Sequence, residues 1–406
     1  MRINAIERAL RLRETLISGD KVLVTNFSDT LQGKDTSKVI DLMPNVETGE
    51  YVFRTKINSK EIDPLASNVY SRDFFDMTQK GDKEIEDFLK RAEFDFPLWF
   101  KQRWDFSMSR VNEYNAPFIL QVAGCNFHDG SETGGCTFCF VDDRSNDGMV
   151  SSGKTYLGIS ETVDSFLSAR EKIRSFYAEK GFTNNLRVLR TSGGEPTIVL
   201  DWVLGLWKRI ESRGLSDIVG QLDSNLSTGS FVQDFEKRGV YEENILHKLF
   251  EHPIKVLTAL KGTDNLSLRE NVQATTTLDE QKYSLHKFLD AGADIYPQMY
   301  NPNPKTLGIF LGDLEKNFPN ISMRIHIGPL KVYGPTKKRL EAQARILGED
   351  PEKYVAKITF EWDKNYDYGC NVLDAFLRGK HGVGYKDMVR SDIAVRDNYF
   401  LHNKRY

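Results

Sequence analysis

The sequence predicts an α/β protein built on a partial (β/α)6 parallel barrel, with an α+β N-terminal extension and a C-terminal tail. Three observations predict it. From residue 117 onward, short apolar runs alternate with amphipathic helical stretches, which is the pattern of βαβ units and a parallel sheet. Six such units occur, which suits a partial barrel better than a closed eightfold one. The residues with chemical potential fall at the C-terminal ends of the strands, where parallel barrels gather their chemistry.

Taken in order, residues 3–18 form a helix with Ile3, Ile6, Ala9, Leu10 and Leu16 near one face. A strand is expected over 21–27, a loop over 28–38 and an alternating strand over 51–57. A longer helix is expected over 83–94, with Ile85, Phe88, Leu89 and Ala92 on one side. The aromatic-rich stretch 94–106 is expected to pack against the domain that follows, with a substrate-shielding lid as the alternative. The barrel strands are expected at 118–123, 186–191, 218–222, 254–260, 294–299 and 323–327. Helices at 160–178, 197–214, 240–250, 279–291 and 307–318 connect them, with Gly214 and Gly292 as C-terminal stops. A Lys/Arg-rich helix over 336–347 and an irregular tail complete the chain. The expected domains are an N-terminal extension over 1–115, the barrel over 116–335 and a C-terminal helical and irregular extension over 336–406.

Composition narrows the function. The 406 residues are 40% hydrophobic and 28% charged, enough for one large domain plus extensions. The formal net charge of −3 does not indicate nucleic acid or an anionic membrane. No stretch approaches the roughly 20 consecutive apolar residues of a membrane span. The N-terminus has no secretory core, and Glu7 and Glu14 argue against a transit sequence. Three of the four cysteines cluster, so metal ligation in a reduced, cytoplasmic setting is expected rather than a disulfide framework.

Those three are Cys125, Cys136 and Cys139, just after the first barrel strand, with Phe138 before the last of them. Thiolates suit zinc or iron–sulfur iron. A Cys3His zinc site with His128 as fourth ligand is one reading. The other is a four-iron cluster with one iron left open to an external ligand. A second signal stands at the end of the second strand: Ser192, Gly193, Gly194, Glu195 and Pro196. Two glycines permit close backbone approach, Glu195 offers an acceptor for a cationic amine, and Pro196 suits the entry to a helix. An ordinary βα turn is the plainer reading of the same residues. After the third strand stand Asp223, Ser224 and Asn225, readable also as an Asx turn, and after the fourth stands Lys261.

Together, in this order, the cysteines and the GGEP run resemble the radical S-adenosylmethionine (radical SAM) superfamily. The resemblance covers residues 117–329. It departs from the usual C-x3-C-x2-C in having ten residues, Asn126 to Gly135, between the first two cysteines. It implies that Cys125, Cys136 and Cys139 bind a [4Fe–4S] cluster whose open iron is chelated by SAM. It implies that Gly193 and Gly194 lie against the methionyl part of SAM, with Glu195 near its ammonium group, Pro196 shaping the loop exit and Phe138 near the adenine. Asp223, Ser224 and Asn225 would serve the ribose and carboxylate, Asn225 foremost, and Lys261 a charge on SAM or substrate. The implied chemistry is reductive cleavage of SAM to a 5′-deoxyadenosyl radical that abstracts hydrogen from a small molecule, peptide or RNA. An electron donor such as flavodoxin or ferredoxin would supply the electron.

An activase that makes a glycyl radical on a partner protein is the alternative within the family. A non-catalytic protein stapled by zinc is the alternative outside it. Tyr296, Gln298, Tyr300, Arg324 and His326 are in phase to face the barrel interior, where packing or a core hydrogen bond is the plainer role and substrate contact the alternative. Cys370 is expected to be a buried or free thiol. The run from Arg378 to Tyr385 lacks the spacing of a phosphate loop. No segment looks like a cobalamin-binding domain.

Overall fold

The computed structural model describes residues 3–25, 30–31, 117–178, 185–388, 390 and 393–395, and the backbone of 38–44 and 51–57. The expected helix over 83–94 and the aromatic run over 94–106 lie outside these residues.

Helix α1 (Ala5–Leu16) starts where the Asn4 side chain caps the amides of Ile6 and Glu7, and it buries Ala5, Ala9, Leu12 and Leu16 at helical spacing. Strands β1 (Ile17–Ser18) and β2 (Lys21–Thr25) follow, and β3 (Lys38–Pro44) pairs antiparallel with β4 (Tyr51–Ile57). Then come β5 (Phe118–Val122), a one-turn helix α2 (Asp143–Asn146), β6 (Lys154–Gly158) and α3 (Ile159–Ala178). After these, β7 (Val188–Gly193), α4 (Leu200–Ser212), β8 (Val219–Ser224), α5 (Gly229–Lys237), α6 (Ile245–Phe250) and β9 (Ile254–Leu260) alternate. The series continues with α7 (Asn265–Asn271), α8 (Leu278–Asp290), β10 (Asp294–Tyr300), α9 (Leu307–Asn317) and β11 (His326–Gly328). Helices α10 (Gly334–Leu347) and α11 (Pro351–His381) end the described chain.

Six strands, β5, β7, β8, β9, β10 and β11, pair in that order, and every pairing among them is parallel. This is the expected α/β sheet. Among the described residues β11 does not return to pair with β5; instead β2 lies antiparallel beside β5, and β6 and β1 pair with β2. The core consists of apolar side chains from the strands and from the helices laid over them, including Phe118, Leu189, Leu222, Val256, Ile295 and Ile327. Among the described residues no helix is long and apolar enough to cross a membrane.

Three expectations are corrected. The sixth strand begins later than expected, because residues 321–324 form a 3-10 turn. The Glu315 carboxylate causes this by accepting the amides of Asn320 and Ser322, which winds the chain before it extends. The helix expected over 240–250 is only α6; Asn244 is in the left-handed region, and the longer helix α5 lies before it. The tail is far from irregular. Asp350 caps α11 at the Lys353 amide, Pro351 opens it, and it runs 31 residues to a left-handed Gly382.

Candidate metal centre

Strand β5 ends and turns at Gly124, whose φ of +94° favours glycine. The Gly124 and Cys125 amides donate to the carbonyls of Ser145 and Asn146, at 2.7 and 2.8 Å. Further on, the Cys139 amide donates to the Cys136 carbonyl at 3.0 Å, closing the C-x2-C turn. Cys136 bridges antiparallel to Val272, and Thr137 donates its amide to Asn271 at 2.9 Å. The turn is thereby sewn to the segment that follows β9.

The spacer between the cysteines folds back on itself. Its Asn126 is buried and bonds Ser227 Oγ at 2.7 Å and the Ala5 carbonyl at 3.2 Å. His128 is buried too. Its Nδ1 accepts the Gly130 amide at 3.1 Å, which leaves Nε2 protonated and 3.2 Å from Asp143 Oδ1. Both ring nitrogens are thus taken, one within the spacer and one by Asp143 of α2, and a Cys3His zinc site does not fit this histidine.

The GGEP run closes against the first cysteine. The Gly194 amide donates to Val122 O and the Glu195 amide to Gly124 O, each at 2.9 Å. A Cβ on Gly193 would lie 2.4 Å from Val122 O, and one on Gly194 only 1.7 Å from Gly124 O. The glycines therefore allow the Cys125 turn and the second strand end to touch backbone to backbone. Glu195 is 1% exposed and ties this loop to the next: Oε1 accepts Thr197 Oγ1, and Oε2 accepts the Asn225 amide at 2.7 Å. Burial raises its carboxyl to about 7 even against these bonds. Pro196 opens a 3-10 turn over Pro196–Val199 that leads into α4.

Amide N–H donors face two of the three sulfurs, and a cation stands beside the third. Asn225 Nδ2 lies 3.9 Å from Cys125 Sγ, and Asn146 Nδ2 lies 3.8 Å from Cys139 Sγ. Lys261 stands beside Cys136, and its charge favours the thiolate there. Burial pushes the Cys125 and Cys136 thiols up, and the thiols raise one another, so they share one electrostatic neighbourhood. Burial alone would lower the Lys261 ammonium, but Cys136, Cys139, Tyr300 and Cys125 outweigh it and hold the group above its ordinary range. Its Nζ sits 5.1 Å from the Phe138 ring centre and 5.8 Å from that of Tyr300. As they stand, no three His, Cys, Asp or Glu side chains among the described residues are arranged to hold a metal ion. The residues present still fit a thiolate-bound cluster, because three soft ligands share one neighbourhood with two amide N–H donors and a cation.

Phe138 is buried between Tyr300 (ring centres 5.7 Å apart) and Trp362 of α11 (6.4 Å). Asp223 accepts Arg190 at 2.9 and 2.7 Å and Ser192 Oγ at 2.5 Å, and Ser224 Oγ accepts the Leu226 amide at 3.1 Å. Tyr300 reaches the site, with its hydroxyl on Gln298. Tyr296 and Arg324 do not. They meet Asp294 at the opposite, N-terminal ends of the strands. His326 Nδ1 contacts the Tyr385 hydroxyl at 3.1 Å. Cys370 is free and half-buried on α11, and the run from Arg378 to Tyr385 is the end of that helix and the turn after it.

Sequence reasoning missed Asn146, Arg190, Thr336, Arg339 and Trp362. Thr336 Oγ1 and Arg339 Nη1, both from α10, bond the Cys139 carbonyl at 3.1 and 2.8 Å. The basic run that contains Arg339 reads as a solvated helix, so no signal marked it.

The chain is similar in structure to the cobalamin-dependent S-adenosylmethionine radical enzyme OxsB. With aqua-cobalamin and S-adenosylmethionine bound to that enzyme, the TM-score is 0.37 at 14% identity, over 62% of this chain and 32% of that one. With aqua-cobalamin alone bound, it is 0.36 at 12% identity, over the same shares. For the apo form it is 0.34 at 13% identity, over 61% and 32%. The chain thus spans about a third of the length of the structures it matches. No family model and no curated protein matches it.

Proposed function

We propose that this protein is a radical SAM enzyme, with Cys125, Cys136 and Cys139 as the ligands of a [4Fe–4S] cluster. The observation that carries the reading is the surroundings of the sulfurs: amide N–H donors from Asn225 and Asn146 on Cys125 and Cys139, and the Lys261 cation beside Cys136. Thiols have no need of two amide donors and a cation unless the sulfurs become anionic. When bound, the cluster supplies an electron that cleaves SAM reductively to methionine and a 5′-deoxyadenosyl radical, which takes hydrogen from the substrate.

The chain's own residues prepare for that chemistry. Lys261 offsets negative charge at the thiolates, and the two asparagines stabilise thiolates at Cys125 and Cys139 without adding charge. Phe138, Tyr300 and Trp362 keep water from one side of the cysteine turn. Glu195 locks the loop after β7 to the loop after β8, so Gly193–Pro196 and Asp223–Asn225 form one rigid rim on which SAM would be held.

The test is anaerobic reconstitution with iron and sulfide. A brown protein with broad absorption near ~400 nm is expected, as for thiolate-bound iron–sulfur clusters. Adding SAM and a strong one-electron reductant should release 5′-deoxyadenosine. A colourless protein that retains one tightly bound zinc would overturn the reading.

A further inference from the structure

Arg339 lies on α10, well beyond the strands that carry the cysteines, yet its side chain is 0% exposed. A buried guanidinium has to find acceptors for its fork of N–H groups. Nε donates to Gly134 O at 2.9 Å, Nη1 to Cys139 O at 2.8 Å and Nη2 to Asp143 Oδ1 at 2.5 Å. Thr336, one helical turn earlier, adds its hydroxyl to the same Cys139 carbonyl at 3.1 Å. Gly134 and Cys139 bracket Cys136, so the fork grips both sides of the C-x2-C turn.

The third bond reaches further. Asp143 begins α2, and Asn146 at the end of that one-turn helix carries the N–H aimed at Cys139 Sγ. The same Asp143 oxygen meets His128 Nε2 at 3.2 Å, and His128 Nδ1 holds the Gly130 amide. A single guanidinium therefore ties together the turn, the spacer and the helix that supplies a donor to sulfur.

We propose that Arg339 is a positioning residue for the cysteine site, setting the Cys136–Cys139 turn from helix α10, and that the ten-residue spacer serves to present Gly134 and His128 to this clamp. The link to a cluster rests on the reading above; the clamp itself is a property of the metal-free chain. Lysine in its place keeps the charge but cannot reproduce the planar fork.

The test is alkylation of each cysteine in the full-length, metal-free protein by iodoacetamide under anaerobic reducing conditions, followed by peptide mass. In Arg339→Lys, Cys136 and Cys139 should react about tenfold faster than in the wild type, as local opening of the turn becomes easier, with Cys370 unchanged. In the reconstituted protein the absorption near ~400 nm should bleach several-fold faster in air. Rates at Cys136 and Cys139 within about twofold of wild type, with the melting temperature held, overturn the proposal. If Arg339→Lys instead exposes all four cysteines together, Thr336→Val decides. A rise of about threefold confined to Cys136 and Cys139 supports the clamp, as loss of a single neutral hydrogen bond would give, and no rise overturns it. A wild type that takes up no cluster overturns the enzyme reading while the alkylation result stands.

Discussion

At the N-terminal ends of the strands, Arg324 and Asp294 are almost wholly buried and answer each other directly. Arg324 also donates to the carbonyls of Ile295 and Ile393, and its guanidinium lies 4.9 Å from the Tyr296 ring centre. At the C-terminal ends, Lys261 is half-buried, and among the described residues no carboxylate is paired with it. Its neighbours are thiols and aromatic rings. Both ends carry charge into the same molecule. One end is matched within the protein and serves the fold; the other is balanced only when the thiols are anionic, which is the state of metal ligands. Substitutions at the two ends should therefore fail in different ways.

The largest contrast is between Cys136→Ala and Arg324→Met. Cys136→Ala should reduce 5′-deoxyadenosine release and the absorption near ~400 nm to background, with denaturant stability within about 1 kcal/mol of wild type. Arg324→Met should do the reverse. Leaving Asp294 buried without its counter-ion should cost about 3–5 kcal/mol by chemical denaturation, with cluster content per folded chain retained. An unfolded Cys136→Ala, or an Arg324→Met that loses iron before it loses structure, would erase the distinction between the two ends.

The same contrast explains what could be read in advance. Strand β9 lies where the sequence puts it, over residues 254–260, because an apolar run between turn residues carries its own signal. Cys125, Cys136, Cys139 and the GGEP run stood out as candidates because such residues seldom fall so close together in a chain. Arg324 was misplaced, since strand phase was assumed where Glu315 winds a turn by capturing two amides, a contact no local pattern reveals. Helix α11 was missed because its buried residues, Trp362, Gly369, Leu373 and Leu377, are sparse along 31 residues. Arg339 was invisible for a related reason: it sits beside Lys337 and Lys338, and only tertiary packing makes it the buried one.

Glu195 sharpens the comparison, because its charge is buried without a cationic counterpart of the kind Asp294 has. Its carboxyl is raised from an ordinary 4.5 to about 7 by burial. The folded chain then binds a proton that the unfolded chain has released between those values. Its contribution is fully present below about pH 4.5 and is lost as pH rises to about 7, on the order of 3 kcal/mol in all. Asp143, whose carboxyl is held low by His128 and Arg339 despite burial, acts with the opposite sign and only as pH falls below the ordinary aspartate range. Unfolding free energies of the metal-free protein at pH 5 and pH 8 should fall with pH in the wild type and stay nearly level in Glu195→Gln. Parallel slopes in the two proteins would remove Glu195 from the account.

The smallest effect separates a glycine that serves the site from one that does not. An added Cβ on Gly194 would lie 1.7 Å from the Gly124 carbonyl oxygen, 2.1 Å from its carbon and 2.8 Å from the Cys125 amide. These are backbone atoms, and no side chain can swing aside to relieve them. Gly194→Ala should therefore push the Cys125 turn away from the second strand end, costing about 1–3 kcal/mol, with cluster uptake reduced further than stability. Gly379, exposed on α11, has nothing within 4 Å of its Cβ position, so Gly379→Ala should raise stability by about 0.5–1 kcal/mol and leave uptake unchanged. Measuring iron per chain alongside denaturation midpoints separates the two. Equal iron in both variants would mean that the close approach of the GGEP run to Cys125 serves the sheet rather than the cysteine site.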